Sequence, residues 1–103
     1  MARASAKSKR DDYFTGIEAA EVKEWLRITH LGRLIEAKAY GYIRKAQGWS
    51  YHAPFAGHDG IQLALGRSFR WEKDYLFPYY RDLLTVLAAG MTPYEIILNG
   101  LSK

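Results

Sequence analysis

The chain has 103 residues, which is the length of one small domain at most. Its net charge of +4 matches the four basic residues of the first ten positions, so the remainder is nearly neutral and a nucleic-acid-binding face is a weak interpretation. It lacks cysteine, which excludes disulfides and thiol chemistry and fits a cytoplasmic protein, and it has no apolar run long enough for a membrane helix.

Residues 1–14 are expected to form a disordered basic tail, and residues 15–103 a helical region. Thr15-Gly16-Ile17-Glu18 has the pattern of a capping box, with Thr15 as N-cap and Glu18 at position N3. Apolar residues at steps of three and four then predict a helix of roughly thirty residues. Gly48 stands where a left-handed C-cap is expected.

The middle of the chain alternates between loops and helices. Residues 49–57 mix aromatic residues with Pro and Gly, which predicts an ordered loop with short extended parts. Asp59 is a plausible N-cap for a helix that continues to Phe69. Residues 70–74 are polar and predict a turn, and residues 75–77 predict a short strand or an extended entry to the next motif.

Two short helices complete the prediction. Residues 83–89 form an apolar run that Gly90 closes. Residues 92–95 have Thr at the N-cap, Pro at N1 and Glu at N3, which is a strong helix start. The expected fold is therefore mainly α, with one long helix, three shorter helices and a short extended strand. The end of the chain at Leu101-Ser102-Lys103 has no evident cap, which predicts a piece of a longer protein.

The stretch Phe77-Pro78-Tyr79-Tyr80-Arg81-Asp82 contains the clearest candidate for chemistry. A guanidinium offers a planar set of donors that suits phosphate, and phenols add further donors. Tyr79, Tyr80 and Arg81 are thus candidates for binding an anion at a helix start. The alternative is a packed corner in which the two tyrosines pack and Arg81 pairs with Asp82 or another acid.

The three histidines give a weaker signal. His30 lies within the long predicted helix and is expected to be structural. His52 and His58 flank a Gly-containing loop, so either could face a ligand. The sequence has no ligand set at the spacing of a metal site and no Ser, His and Asp arrangement of a nucleophilic triad, so no metal-binding or catalytic residue is predicted.

Two motifs in order and at a matching distance indicate a family. Residues 48–60 read GWSYHAPFAGHDG, and residues 74–82 read DYLFPYYRD, followed by Leu87-Ala88-Ala89-Gly90. This pattern resembles the alpha subunit of thiamine-diphosphate-dependent 2-oxo-acid dehydrogenases, and the branched-chain type (2-oxoisovalerate dehydrogenase) in particular. Arg33 and Glu36 also match the family's preceding helix. The resemblance extends over residues 31–103.

The resemblance implies specific roles. Tyr80 and Arg81 would reach the diphosphate of the cofactor, and Tyr79 would line the cofactor site. Tyr51 and Tyr80 would border the pocket for the 2-oxo acid. The chain would be the N-terminal helical segment of a larger α/β fold, inactive by itself, whose magnesium ligands and catalytic histidines lie on sequence outside it.

The resemblance also implies partners. A beta subunit, or a fused beta region, would supply the carboxylate that activates thiamine diphosphate. The full enzyme would be an oligomer that passes its acyl group to a lipoyl-bearing transacylase core, without nucleic acid or membrane.

The chain departs from the family pattern at two places. The family commonly continues Tyr-Arg-Asp-His-Gly, whereas this chain has Leu83 and Leu84 after Asp82, and Asp59 replaces the usual Glu. Any role that belongs to that His or that Glu is therefore not carried over. Two alternatives remain open: a pyruvate or acetoin dehydrogenase alpha subunit, and a helical interaction module that binds no ligand.

Overall fold

The computed structural model describes residues 16–103, so the predicted basic tail, residues 1–14, and Thr15 lie outside the described residues. Within them the chain forms four helices, α1 (Ala19–Arg44), α2 (Asp59–Ser68), α3 (Leu83–Ala89) and α4 (Pro93–Gly100), and no strand. This confirms the prediction of a mainly α structure with one long and three shorter helices.

Helix α1 buries one stripe of its surface. Ile28, Gly32, Ile35 and Ala39 recur at steps of three and four and are buried, as the periodicity predicts. Gly32 is required by a close approach, because a Cβ at this position would lie 3.0 Å from both Leu84 Cδ1 and Phe55 Cζ. The long helix therefore serves as the support on which the loop and α3 pack.

Both predicted ends of the long helix were wrong. Glu18 is the N-cap of α1 and not its N3 residue, and its side chain makes no capping hydrogen bond. At the other end the helix stops at Arg44, where Ala46 N–H donates to Ile43 O (3.1 Å) and Gln47 N–H to Tyr42 O (3.0 Å). These two bonds form a Schellman motif, so the last carbonyls are satisfied before Gly48 is reached.

The early stop of α1 turns the chain back toward its own helix. Ala46 has φ 51° and Gly48 has φ 99°, so two left-handed residues reverse the backbone within three positions. The reversal brings the buried Trp49 ring parallel to the Tyr42 ring, with 6.2 Å between the centroids. Gly48 thus contributes to this turn and not to the helix cap.

Helix α2 begins one residue earlier than predicted. His58 is its N-cap and Asp59 is its first helical residue, so the prediction of Asp59 as N-cap was wrong. The Asp59 carboxylate is instead engaged by the Arg33 side chain and the Gly57 N–H. The helix ends at Ser68, with Phe69 as its extended C-cap.

The two short helices have the predicted ends. Gly90 closes α3 in the left-handed region, with φ 118°. In α4, Glu95 N–H donates to Thr92 Oγ1 (3.2 Å) and Thr92 N–H donates to Glu95 Oε2 (2.8 Å), which completes the capping box. Both features depend only on residues within a few positions of one another, which is why the sequence predicts them correctly.

Of the two alternatives predicted for residues 75–77, the short strand was wrong for the described part of the chain. The segment is irregular, and no strand of residues 16–103 pairs with it. Tyr75 and Phe77 are each 88% exposed. Because a strand is defined by its hydrogen bonds to a neighbour, aromatic and apolar residues alone do not produce one.

The core lies between α1, α3 and the loop at residues 49–57. Phe55 and Leu84 are its two fully buried large side chains, and the residues around them are Ile28, Ile35, Leu83, Leu87, Ala88 and Ile96. The loop thus contributes a core residue and is held in place by it. Among the described helices, none has the length and apolar character needed to cross a membrane.

Candidate functional site

A cleft of about 520 Å³ lies between the aromatic loop, the turn before α3 and the last helix. Trp49 to His52 line one side, Pro78 to Tyr80 the other, and Ile96 and Asn99 of α4 close one end. A volume of this order accommodates a small organic ligand. The cleft therefore brings together the two sequence motifs, residues 48–60 and residues 74–82.

Three of the predicted site residues meet at this cleft. The Tyr51 and Tyr80 rings contact edge to face with 5.9 Å between centroids, and the Tyr79 and Tyr80 rings lie 4.1 Å apart. All three side chains are exposed. We call Tyr51, Tyr79 and Tyr80 the tyrosine cluster. It presents phenol rings to the cleft instead of burying them in the core.

Arg81 lies beside the tyrosine cluster but does not line the cleft. Its guanidinium carbon is 5.9 Å from the centroid of the Tyr80 ring, which is within the range of a cation–π contact. Within residues 16–103 it forms no ion pair. Its backbone is held by α2, because Gln62 Nε2 donates to Arg81 O at 2.9 Å.

Asp82 shapes the turn instead of neutralising Arg81. Its carboxylate accepts the Tyr79 N–H at 2.7 Å, and its own N–H donates to Tyr79 O at 3.0 Å. The packed-corner interpretation is thus half correct: the Tyr79 and Tyr80 rings pack against each other at an interplanar angle of 55°, but Arg81 does not pair with Asp82. The turn leaves a charged guanidinium at the surface next to phenol groups.

A buried carboxylate holds the aromatic loop from behind. Glu36 Oε1 accepts the Phe55 N–H at 2.5 Å and lies 3.2 Å from His52 Nε2. The Glu36 and His52 side chains are only 7% and 4% exposed. No local pattern around Glu36 indicates that its side chain is buried.

A second polar contact joins α1 to the start of α2. Arg33 Nε and one terminal nitrogen donate to Asp59 Oδ2 at 3.0 and 2.8 Å, and the Arg33 guanidinium carbon lies 5.5 Å from the Phe55 ring centroid. Burial raises the pKa of Asp59, but the hydrogen bonds from Arg33 and Gly57 lower it by more, so the pKa lies below its ordinary value. Arg33 and Glu36, both part of the family resemblance, thus fix the loop from the same helix.

Trp49 is a site residue that the sequence did not single out. Its indole N–H donates to Tyr51 O at 2.9 Å, which supports the backbone next to the tyrosine cluster. Its ring lies so close to Gly100 that a Cβ there would be 2.5 Å from it. The signal that could have identified it is a Trp directly after a left-handed Gly, at the start of the aromatic loop.

The other two histidines lie outside the cleft. His58 is exposed at the N-cap of α2, and His30 is exposed on α1. His52 is the histidine that lines the cleft. Among residues 16–103, no group of three or more His, Asp or Glu side chains could hold a metal ion.

The residues at the turn fit one side of a diphosphate group. A diphosphate needs cationic and neutral donors, and Arg81 has its donors at the surface without an acidic partner among the described residues. The Tyr79 and Tyr80 phenols are exposed beside it.

Comparison with known proteins shows a distant relationship. The chain is 29% identical over 92 residues to the 2-oxoisovalerate dehydrogenase subunit alpha of Bacillus subtilis (strain 168), a match that covers 85% of this chain and 26% of that subunit. No protein-family model and no solved structure matches. The chain is thus similar to the alpha subunit of 2-oxoisovalerate dehydrogenase over about a quarter of that subunit's length, which confirms the resemblance that its motifs indicate.

Proposed function

We propose that this chain is the N-terminal segment of the decarboxylating component of a branched-chain 2-oxo-acid dehydrogenase and forms one wall of its thiamine-diphosphate site. The single observation that carries the proposal is the Arg81 guanidinium, which is exposed beside Tyr80 and has no ion pair within residues 16–103. An exposed cation fixed on a hydrogen-bonded turn is suited to hold an anionic ligand.

The residues of the turn would make two kinds of hydrogen bond to the cofactor. Arg81 would donate charge-assisted hydrogen bonds to the diphosphate, and the Tyr79 and Tyr80 hydroxyls would donate neutral ones. Thiamine diphosphate, when bound with magnesium, supplies the stabilised carbanion chemistry of decarboxylation. The Tyr79 to Asp82 hydrogen bonds orient these donors before the ligand arrives, so less ordering is needed on binding.

Tyr51 and Tyr80 would form the wall for the acyl part of the substrate. Their rings meet edge to face at the cleft, next to apolar groups of α3 and α4. Such a surface favours a branched aliphatic group over a charged one. The choice between 2-oxoisovalerate, pyruvate and acetoin would depend on residues outside this chain as well, so the pyruvate or acetoin branch is the nearest alternative.

The exposed apolar surfaces are consistent with a chain that functions within an assembly. Leu26 and Leu34 of α1 are more than half exposed, as are Ile61 and Leu65 of α2. We propose a beta subunit or fused beta region, within a larger oligomer, as the partner, and a lipoyl-bearing transacylase core as the acceptor of the acyl group. The same surfaces would also serve a helical interaction module that binds no ligand.

The replacement Arg81→Ala in the full-length enzyme separates these functions. Loss of a charged hydrogen bond to phosphate costs about 1.5–3 kcal/mol, so the thiamine diphosphate concentration for half-maximal activity should rise roughly ten- to a hundredfold. The measurement is the decarboxylation of 2-oxoisovalerate over a cofactor titration, with circular dichroism to check folding.

The matched control is Arg27→Ala, which removes an exposed arginine of α1 that pairs only with Glu24 in the described part of the chain. It should leave the cofactor requirement unchanged. Activity without thiamine diphosphate, or equal cofactor requirements for the two variants, would contradict the proposed function.

A further inference from the structure

The turn before α3 is closed by its own hydrogen bonds. The Asp82 carboxylate accepts the Tyr79 N–H at 2.7 Å, and the Asp82 N–H donates to Tyr79 O at 3.0 Å. Both bonds lie within residues 79–82, so they determine the shape of the turn but not its position relative to α2. That position depends on a contact from outside the turn.

One side chain of α2 makes this contact. Gln62 Nε2 donates to Arg81 O at 2.9 Å, and within residues 16–103 this is the one hydrogen bond that joins residues 79–81 to another helix. A carbonyl oxygen only accepts hydrogen bonds, so the amide nitrogen of Gln62, and not its oxygen, faces Arg81. The contact therefore holds the residue whose guanidinium is the candidate anion ligand.

Gln62 itself lies on a part of α2 that is closely packed. The residue is 5% exposed, and one helical turn later a Cβ at Gly66 would lie 2.4 Å from Thr85 O of α3. Helices in such close contact have little freedom to shift against each other. A donor at this position of α2 is thus a rigid reference for the position of Arg81.

The oxygen of the Gln62 amide has no partner among the described residues. Gln62 Oε1 is buried and accepts no hydrogen bond from them. A buried acceptor without a donor costs free energy, whereas an apolar side chain of the same length, such as methionine, does not carry that cost. Stability alone therefore favours an apolar residue at this position, and the contact with Arg81 O is what the amide adds.

We propose that Gln62 is the positioning residue of Arg81. By holding Arg81 O from α2, it keeps the guanidinium beside the Tyr80 ring, with 5.9 Å between the guanidinium carbon and the ring centroid. A cation that is already in place binds an anion more tightly, because less ordering is needed when the ligand arrives. The identity of that anion, the diphosphate of thiamine diphosphate, rests on the proposed function, whereas the contact between Gln62 and Arg81 does not.

The replacement Gln62→Met in the full-length enzyme tests the proposal directly. It keeps the length of the side chain but has no donor for Arg81 O. Thiamine diphosphate, titrated with magnesium in a calorimeter without the oxo acid, should bind about two- to tenfold more weakly, which corresponds to the loss of one neutral hydrogen bond. The melting temperature of the cofactor-free enzyme should stay the same or rise, because the unpartnered oxygen is removed as well.

The double variant with Arg81→Ala separates positioning from support of the fold. If Gln62 acts through Arg81, Gln62→Met should weaken cofactor binding by less than about twofold once the guanidinium is absent. Equal effects of Gln62→Met with and without the guanidinium, or a Gln62→Met variant that binds as tightly as the parent, would overturn the proposal.

Two further variants complete the test. Gln47→Met, at an exposed glutamine outside the helices, is the matched control and should change neither cofactor binding nor the melting temperature. Gln62→Leu also lacks a donor and gives the same prediction for cofactor binding, so it keeps the test decisive if the methionine variant does not fold.

The outcome can be separated from that of the proposed function. Failure of the parent enzyme to bind thiamine diphosphate would reject the function, and the same variants are then titrated with inorganic diphosphate, which needs only the guanidinium. Weaker binding of that anion by Gln62→Met would retain the positioning role, and equal binding would reject it. Cofactor binding that depends on Arg81 but not on Gln62 would retain the function and reject the positioning role.

Discussion

At the residue scale, the contact between Arg33 and Asp59 joins positions 26 apart and ties the start of α2 to α1. Its two short donor–acceptor distances and the added Gly57 N–H give the carboxylate three hydrogen bonds. A carboxylate with three donors is held in its charged form more strongly in the folded chain than in the unfolded one. The stability of the folded chain should therefore fall as the pH is lowered.

The first prediction is that stability falls with acid through Asp59. The pKa of Asp59 is lowered on folding, since the Arg33 and Gly57 bonds outweigh the effect of burial. Its contribution is thus complete above the ordinary aspartate pKa of about 3.9 and is lost as the pH falls through the lower, folded value. Melting temperatures measured from pH 7 to pH 2 should show a shallower decline for Asp59→Asn.

Arg33→Gln tests whether Arg33 is the cause of the low pKa of Asp59. It leaves the carboxyl group in place but removes its principal cation, so the pKa of Asp59 should return toward the ordinary value and the acid dependence should flatten as well. A steep decline that is unchanged in both variants would assign the acid sensitivity to other carboxylates.

The second residue-scale point concerns what the sequence could reveal. Asp is a common N-cap residue and Asp59 lies at the start of α2, yet its carboxylate accepts a hydrogen bond from Arg33. Glu36 has the identity of a surface charge, yet the loop 16–19 residues later supplies its two donors. In both cases the partner is distant in sequence, so no local pattern contains the information. By contrast, the sequence predicts Tyr51, Tyr79 and Tyr80 as site residues because each lies in a contiguous motif, and the structure places all three at the cleft.

At the element scale, α2 and α3 pack so closely that one glycine decides the contact. A Cβ at Gly66 would lie 2.4 Å from Thr85 O and 2.5 Å from Ala88 Cβ. These distances leave no space for a methyl group, and one of the obstacles is backbone. Gly60 belongs to the same helix, and a Cβ there would meet nothing within 4 Å.

The second prediction compares Gly66→Ala with Gly60→Ala. Alanine is favoured over glycine in a helix by about 1 kcal/mol, so Gly60→Ala should leave the free energy of unfolding unchanged or raise it by up to that amount. Gly66→Ala should lower it by about 1–3 kcal/mol, because the helices must separate. Urea denaturation measures both, and a stabilising effect of Gly66→Ala would show that the contact is looser than described.

The helix ends show how far local patterns predict an element. The capping box of Thr92 and Glu95 and the left-handed Gly90 are complete within four residues, and both were predicted. The C-terminus of α1 was not, because the left-handed position is occupied by Ala46, a residue that pays a steric cost there. The packing of Trp49 on Tyr42 determines where the chain reverses, and that contact is not a property of the cap residues.

At the scale of the whole molecule, Phe55 connects the candidate site to the core. It is fully buried, its ring lies against Gly32 of α1, and its N–H is held by Glu36. The loop that carries Tyr51 and His52 is therefore part of the core and not a flexible addition to it. Damage to the core at this point should disorder the cleft.

The third prediction compares two phenylalanines. Phe55→Ala should lower the free energy of unfolding by about 3–5 kcal/mol, which would unfold most of a small domain. Phe77→Ala, at a side chain that is 88% exposed, should change it by less than about 0.5 kcal/mol. Thermal unfolding followed by circular dichroism distinguishes them, and similar melting temperatures would mean that Phe55 is not central to the core.

The same exposed segment, residues 75–77, has a consequence for the chain in solution. Its backbone forms no hydrogen bond to the described residues, and its two aromatic side chains, Tyr75 and Phe77, are almost fully exposed. Such a segment is a template for pairing with another copy of itself, and Pro78, which lacks an N–H, limits the pairing on one side only. The isolated chain should therefore aggregate as its concentration rises, and a lysine at Phe77 would be the first replacement to try for keeping it dispersed.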